Sequence, residues 1–267
     1  MAEVALIGAG NMGAAMLRGW LESGALTREQ VVIADRDADR GETVARDLGV
    51  ELATDGAGAV SGARIVFLAV KPQDAPAALE DISGSMSARK VLVSIAAGLT
   101  IGAIRKRLGE GPSVVRVMPN MGAQVGSAAS GYTLDPGPEG FEFDDVIRLL
   151  EAFGVAVQVP EEQMDLVTAL SGSGPAYFFL MVEALEEAGR SRGMDPYVAR
   201  LLARETLWGA AGVLKKTERE AAELRQAVSS PGGTTLAALG EMERAGFVQM
   251  IDRAVEAARK RAGELSS

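Results

Sequence analysis

Two glycine-rich segments and one absence bound the chemistry open to this chain. Residues 228–235 read Val-Ser-Ser-Pro-Gly-Gly-Thr-Thr. Ser229 and Ser230 are good helix caps, Pro231 suits a first turn, and Gly232 and Gly233 leave backbone N–H groups unshielded. Thr234 and Thr235 bring hydroxyls to the start of the helix that follows. Free N–H donors, a helix dipole and hydroxyls together suit a small carboxylate. The same residues also suit an elaborate helix cap without a ligand, and taken alone they leave both readings open. The second segment, Gly8-Ala9-Gly10-Asn11-Met12-Gly13, has the G-x-G-x-x-G spacing. The absence is of histidine and cysteine, of which the chain has none. That excludes disulfides, thiolate catalysis and zinc–thiolate sites, and any dehydrogenase that takes a proton from an alcohol with His. A proton donor must be Lys, Tyr, Asp, Glu, Ser or Thr, or the substrate must bring its own.

Context gives the first glycine segment its meaning. The apolar run Val4-Ala-Leu-Ile7 reads as a strand entering it, and Met12, Met16, Gly19 and Trp20 leave it at helical spacing. A strand, this spacing and a helix make a dinucleotide site. Gly8 permits the turn, Gly10 lets the backbone approach a pyrophosphate, and Gly13 lets helix and strand pack closely. The acidic residue expected about 20 residues on is Asp35, a candidate for the ribose hydroxyls. Arg36 follows it, with Arg40 one helical turn further, and guanidinium groups there pair with a 2′-phosphate. Two cations favour NADP(H), with NAD(H) as the alternative. Ala69-Val70-Lys71-Pro72 closes the most apolar strand, at the strand end where ligands bind in such sheets. Pro72 suits the first position of the next helix, while Lys71 either contacts the cofactor or faces solvent. Ala96-Ala97-Gly98 lies at the matching end of the next strand. Small residues there let a nicotinamide ring lie against the backbone, or form a plain turn.

Strands are expected over residues 4–7, 31–34, 51–53, 65–70, 91–95 and 114–118, with helices between them. Runs apolar on both faces predict a doubly wound parallel sheet, an α/β Rossmann-type domain over residues 1–160. After Pro160 no strand pattern recurs. Helices are expected over 161–189, 196–216, 218–228, 235–245 and 247–265, an all-helical domain over 161–267. Leu170-Ser-Gly-Ser-Gly-Pro175 interrupts the first of these and predicts a kink or a close helix approach. The stretch 198–214 is apolar nearly all round, so it must be buried all round. Either its own bundle encloses it or, as expected here, a second copy does, in a homodimer with interleaved helices. A net charge of −9 repels a phosphate backbone, so no nucleic-acid partner is expected. No apolar run approaches the ~18 residues a membrane span needs, and no basic leader opens the chain. The expectation is a cytoplasmic protein with no membrane partner.

These blocks stand in the order and spacing of the pyrroline-5-carboxylate reductase family, which the chain resembles over nearly its whole length. The resemblance is carried by IGAGNMG at the start, LAVKPQ at 68–73, SIAAGLTI at 94–101 and RVMPN at 116–120. It continues in VTALSGSGPAYFF at 167–179 and VSSPGGTT at 228–235. It implies reduction of 1-pyrroline-5-carboxylate to L-proline by NAD(P)H, the last step of proline biosynthesis. It implies that the segments 8–13, 70–72 and 96–98 hold the cofactor and that 229–235 hold the substrate carboxylate and ring. By the same resemblance Thr235 is the catalytic hydroxyl near the ring nitrogen, Asn120 and Glu161 lie on the substrate side, and dimers assemble further into a decamer of five. No metal is implied. The chain departs from the family at Ala227, where an Asn is common, at Asp55-Gly56, and at Met121-Gly122, where a further proline is common. The implied chemistry suits a chain without histidine. A protonated cyclic imine accepts hydride at carbon and leaves an amine, so no alkoxide forms and no strong acid is required. A hydroxyacid dehydrogenase of the same layout needs a catalytic lysine in its helical half, where Lys215 and Lys216 stand only at a helix end. A regulator that binds the nucleotide without turnover has no use for the complete Thr235 loop.

Overall fold

The computed structural model describes residues 2–138 and 140–266. Its strands are β1 (Val4–Ile7), β2 (Val31–Ala34), β3 (Glu51–Leu52), β4 (Ile65–Leu68), β5 (Val91–Ser94), β6 (Ser113–Met118), β7 (Ala128–Asp135) and β8 (Gly154–Gln158). They form one sheet in the order β3-β2-β1-β4-β5-β6-β7-β8. β1 to β6 pair in parallel, β7 runs antiparallel to β6, and β8 is parallel to β7. The strands are continuous apolar runs because both faces are covered. Leu6, Ile33, Phe67, Val93 and Val115 enter one core, and Ala5, Val32, Val66, Leu92 and Val114 enter the other. On the first face Trp20 packs against Phe67 with ring centroids 4.7 Å apart, and its buried indole N–H donates to the Leu149 carbonyl at 2.9 Å.

The helices over and after the sheet are α1 (Asn11–Glu22), α2 (Ala38–Leu48), α3 (Gly56–Gly62), α4 (Ala75–Ser83), α5 (Ile101–Leu108) and α6 (Asp144–Glu151). Then follow α7 (Met164–Val167), α8 (Gly174–Arg190), α9 (Pro196–Thr217), α10 (Ala221–Ala227), α11 (Thr234–Arg244) and α12 (Phe247–Ser266). The doubly wound sheet followed by helices is the expected fold class. The sequence reading lacks β7 and β8, and it runs one helix over 161–189 where the structure has several pieces. Between α7 and α8 the chain makes a π-helical turn over Thr168–Gly172, the interruption anticipated from the serine and glycine residues.

The chain folds as two compact units. One is Met1–Ser173 with Ala257–Ser267, and the other is Gly174–Glu256. Within the second unit, α9 buries only Ala199 and Ala203 along its length. Trp208 is 75% exposed and Leu202 53%, and Leu201, Val213 and Leu214 are also exposed. The chain's own bundle therefore leaves the apolar girth of this helix open, contrary to the alternative in which a single chain encloses it.

Candidate functional site

The first unit carries a phosphate-type loop whose backbone is fixed by close approach. Gly8 has φ +100° and donates its N–H to the Ala34 carbonyl at 2.8 Å. A Cβ on Gly8 would lie 2.7 Å from the Ala69 carbonyl oxygen, and one on Gly13 would lie 2.1 Å from the Gly8 carbonyl oxygen. Neither position accepts a side chain without moving the backbone. Gly10, the N-cap of α1, meets nothing within 4 Å of its Cβ position. The loop is thus clamped from behind and open in front, where the unpaired first N–H groups of α1 emerge. Asn11 is exposed and Met12 half-buried beside that opening, while Ala9 is buried beneath it. This bare helix start fits the pyrophosphate of a nicotinamide dinucleotide.

Asp35 has a different task from the one its spacing suggests. Its side chain is 3% exposed. One carboxylate oxygen accepts from Ala9 N at 2.7 Å and Arg40 Nε at 3.0 Å, and the other from Asp37 N at 2.9 Å and Arg40 Nη2 at 2.6 Å. A carboxylate has about four acceptor positions, and all are filled, so none is left for ribose hydroxyls. Burial raises the Asp35 pKa, but the Arg40, Asp37 and Ala9 hydrogen bonds outweigh it and hold the carboxyl below the usual carboxylate range. Asp35 therefore ties the glycine loop to the start of α2, and Arg40, expected as a second cation for a 2′-phosphate, is engaged in doing so. Arg36 remains exposed and pairs with Asp74 at 3.0 Å.

Beyond β4, Ala69 and Val70 are half-buried and Lys71 and Pro72 exposed, with Lys71 capping the short turn Pro72–Asp74. Beyond β5, Ala96 is buried and Ala97 and Gly98 half-buried. A Cβ on Gly98 would lie 2.7 Å from the Leu265 carbonyl oxygen, so the end of α12 backs this loop.

Behind the same loop is a charge cluster that sequence reading missed. Arg116, on β6, is buried. Its Nη1 donates to Glu161 Oε1 at 3.3 Å, and its Nη2 lies 3.8 Å from Asp165 Oδ1. Glu161 Oε1 also accepts from Ile101 N at 2.8 Å, at the start of α5. Asp165 Oδ1 accepts from Ser266 Oγ at 3.2 Å. Glu161 is thereby joined to the 96–101 loop instead of standing free as a substrate ligand. The available signal was a charge inside the apolar run Val114-Val115-Arg116-Val117. Asn120 is likewise engaged. Its Oδ1 accepts from Gly122 N at 3.0 Å and Ala129 N at 3.2 Å, and its Nδ2 donates to the Ser171 carbonyl at 3.1 Å. It ties the end of β6 to the π turn.

In the second unit the loop before α11 is open. Gly232 has φ +70°, and Gly233 caps α11 and donates its N–H to the Ser230 carbonyl at 3.0 Å. Ser229 Oγ donates to the Arg225 carbonyl at 2.6 Å. Ser230, Pro231, Gly232 and Thr234 are exposed, and Ser229, Gly233 and Thr235 half-buried. Both threonines lie in the first turn of α11, as the carboxylate reading requires.

Comparisons with known proteins match both parts. A family model described as pyrroline-5-carboxylate reductase dimerisation matches residues 161–265, and one described as NADP oxidoreductase, coenzyme F420-dependent, matches residues 3–98. A pyrroline-5-carboxylate reductase of Mycobacterium leprae is 40% identical, covering 99% of this chain and 97% of its own. One from Methanosarcina acetivorans is 37% identical, with 98% and 97% covered. The solved structure of a pyrroline-5-carboxylate reductase from Coxiella burnetii superposes with a TM-score of 0.92 at 33% identity, covering 100% of this chain and 99% of that one. The Plasmodium falciparum pyrroline carboxylate reductase, solved with NADP bound, gives 0.84 at 27% identity, with 100% and 98% covered.

Proposed function

Because the chain belongs to the pyrroline-5-carboxylate reductase family, we propose that it reduces 1-pyrroline-5-carboxylate to L-proline with NAD(P)H, NADP(H) being preferred. The observation that carries the reading is the open front of Gly10 on a loop locked by Gly8 and Gly13. When bound, the reduced nicotinamide supplies the hydride. The N–H groups at the start of α1 hold the pyrophosphate, and the loops Ala69 to Pro72 and Ala96 to Gly98 hold the nicotinamide side. The filled acceptor positions of Asp35 and the exposed guanidinium of Arg36 support the preference for a 2′-phosphate.

Residues 229–235 hold the substrate carboxylate through backbone N–H groups and hydroxyls. Thr235 hydrogen bonds to the ring nitrogen and orients the imine, which must present its carbon at about 3–3.5 Å from the hydride donor. The nitrogen ends as an amine, so the missing histidine is no obstacle. Asn120 and Glu161 act from behind the loops they tie. The second unit, all of which lies in the dimerisation match, pairs with a second copy. We take a homodimer as the working assembly, five dimers as the fullest one and the cytoplasm as its location. No described helix is long and apolar enough to cross a membrane.

Purified protein mixed with NADPH and 1-pyrroline-5-carboxylate is expected to lose nicotinamide absorbance and yield equimolar proline. NADPH binding without turnover would contradict the assignment.

A further inference from the structure

At the nucleotide end of the first unit stands an acidic residue for which the reaction has no use. Asp74 ends the turn Pro72–Asp74, and its Oδ1 lies 3.0 Å from Arg36 Nη2, with Arg36 81% and Asp74 30% exposed. Asp74 makes no side-chain cap on α4, although it occupies the cap position. The neighbouring Arg40 is held through both Nε and Nη2 by Asp35. Of these two guanidiniums, Arg36 is therefore the one able to turn toward a new anion, and Asp74 is the carboxylate already on it. Asp74 is also close enough to Arg40 to act on it electrostatically.

We propose that Asp74 tunes the NADPH-over-NADH preference of this enzyme by competing with the 2′-phosphate for Arg36. The inference rests on the reading of Arg36 as the 2′-phosphate partner. An ion pair with one largely exposed, flexible partner is weak and readily exchanged. A phosphate carrying about −1.5 to −2 charges outbids one carboxylate for the guanidinium. The displaced Asp74 remains beside it on the turn and repels it. NAD(H) brings no such charge, leaves the Arg36–Asp74 pair intact and feels little of either residue. Asp74 thus moderates discrimination that Arg36 creates.

The test is equilibrium binding to the whole protein by calorimetry, using NADPH, NADH and two fragments, adenosine 2′,5′-bisphosphate and AMP. Asp74→Asn should tighten NADPH and the bisphosphate about three- to tenfold and leave NADH and AMP within about twofold. Arg36→Gln should weaken the two phosphorylated ligands about tenfold or more and spare the others. The kcat/KM ratio for NADPH over NADH should follow both. Unchanged selectivity in Asp74→Asn, with selective loss in Arg36→Gln, would overturn the role of Asp74 and keep that of Arg36. Equal loss of NADPH and NADH in Arg36→Gln would overturn the Arg36 reading and the inference with it. Thermal unfolding of each variant shows whether a binding change comes from lost fold.

Discussion

The loop at Gly8 and the loop at Gly232 are both glycine-rich helix starts, but they are held in opposite ways. The first is fastened to its surroundings by Ala34, Asp35 and Ala69 and lies over a core that buries all of β1 and one face of α1. The second is fastened, among the described backbone hydrogen bonds, to its own neighbours, and the helices of its unit leave large apolar side chains in water. The sheet unit thus fixes its own site geometry, whereas the helical unit has unsatisfied apolar surface that only further burial can stabilise. On the function proposed above, cofactor recognition would then be a property of one chain, and the substrate side would depend on assembly.

The sharpest way to break this contrast is to fill the glycines. Gly13→Ala puts a methyl into the Gly8 carbonyl. It should abolish measurable NADPH binding, more than about a hundredfold, and cost about 1–3 kcal/mol of stability from overpacking. Gly10→Ala meets no atom of the chain, so its melting temperature should stay at the wild-type value while NADPH binds about tenfold more weakly. Calorimetry and thermal unfolding on both variants separate the two. On the other side, Thr235→Ala should lower kcat about 10- to 100-fold with NADPH affinity unchanged. A parallel loss of NADPH binding would mean that the two loops do not divide the labour.

Assembly comes next. Trp208→Ala should weaken the dimer about thirtyfold or more, read by sedimentation across a dilution series. NADPH binding to the resulting monomer should persist, because the sheet unit does not depend on it.

Smaller effects sharpen the picture of the sheet unit. Arg116→Met leaves Glu161 and Asp165 facing a buried apolar side chain. Because both acids are partly exposed, the cost should be about 1–3 kcal/mol, below that of a fully buried pair. The KM for NADPH should rise as the 96–101 loop loosens. Glu161→Gln keeps an acceptor for Ile101 N and should cost less. Asp35 adds a pH effect. Its folded pKa is depressed, so its stabilisation is present above the unfolded value of about 3.9 and is lost as pH falls through the folded value. Wild-type melting temperature should therefore fall more steeply than that of Asp35→Asn between about pH 5 and pH 2.

β1, β2, β4, β5 and β6 were legible because parallel strands buried on both faces leave unbroken apolar runs. β7 was not, because Ser130 and Thr133 are buried polar residues within it, and β8 was not, because Val155 and Val157 face outward. Gly8, Gly10 and Gly13 were legible because local spacing fixes a strand–turn–helix. The engagement of Asp35 by Arg40, and of Glu161 by Arg116 and Ile101, was not, because contacts made in three dimensions leave no periodic mark. The pairing of Asp74 with Arg36 is of the same kind. The apolar girth of α9 was legible and correctly pointed outside the single chain.

The proposed reaction is a direct hydride transfer to the imine carbon of a bound pyrroline carboxylate. NADPH carrying deuterium at the transferable C4 position, turned over with 1-pyrroline-5-carboxylate, tests it by mass spectrometry of the product. The expected product is proline with a single deuterium on Cδ, the ring carbon next to nitrogen that does not bear the carboxylate. Deuterium at any other carbon, or its absence from the proline formed, would contradict it.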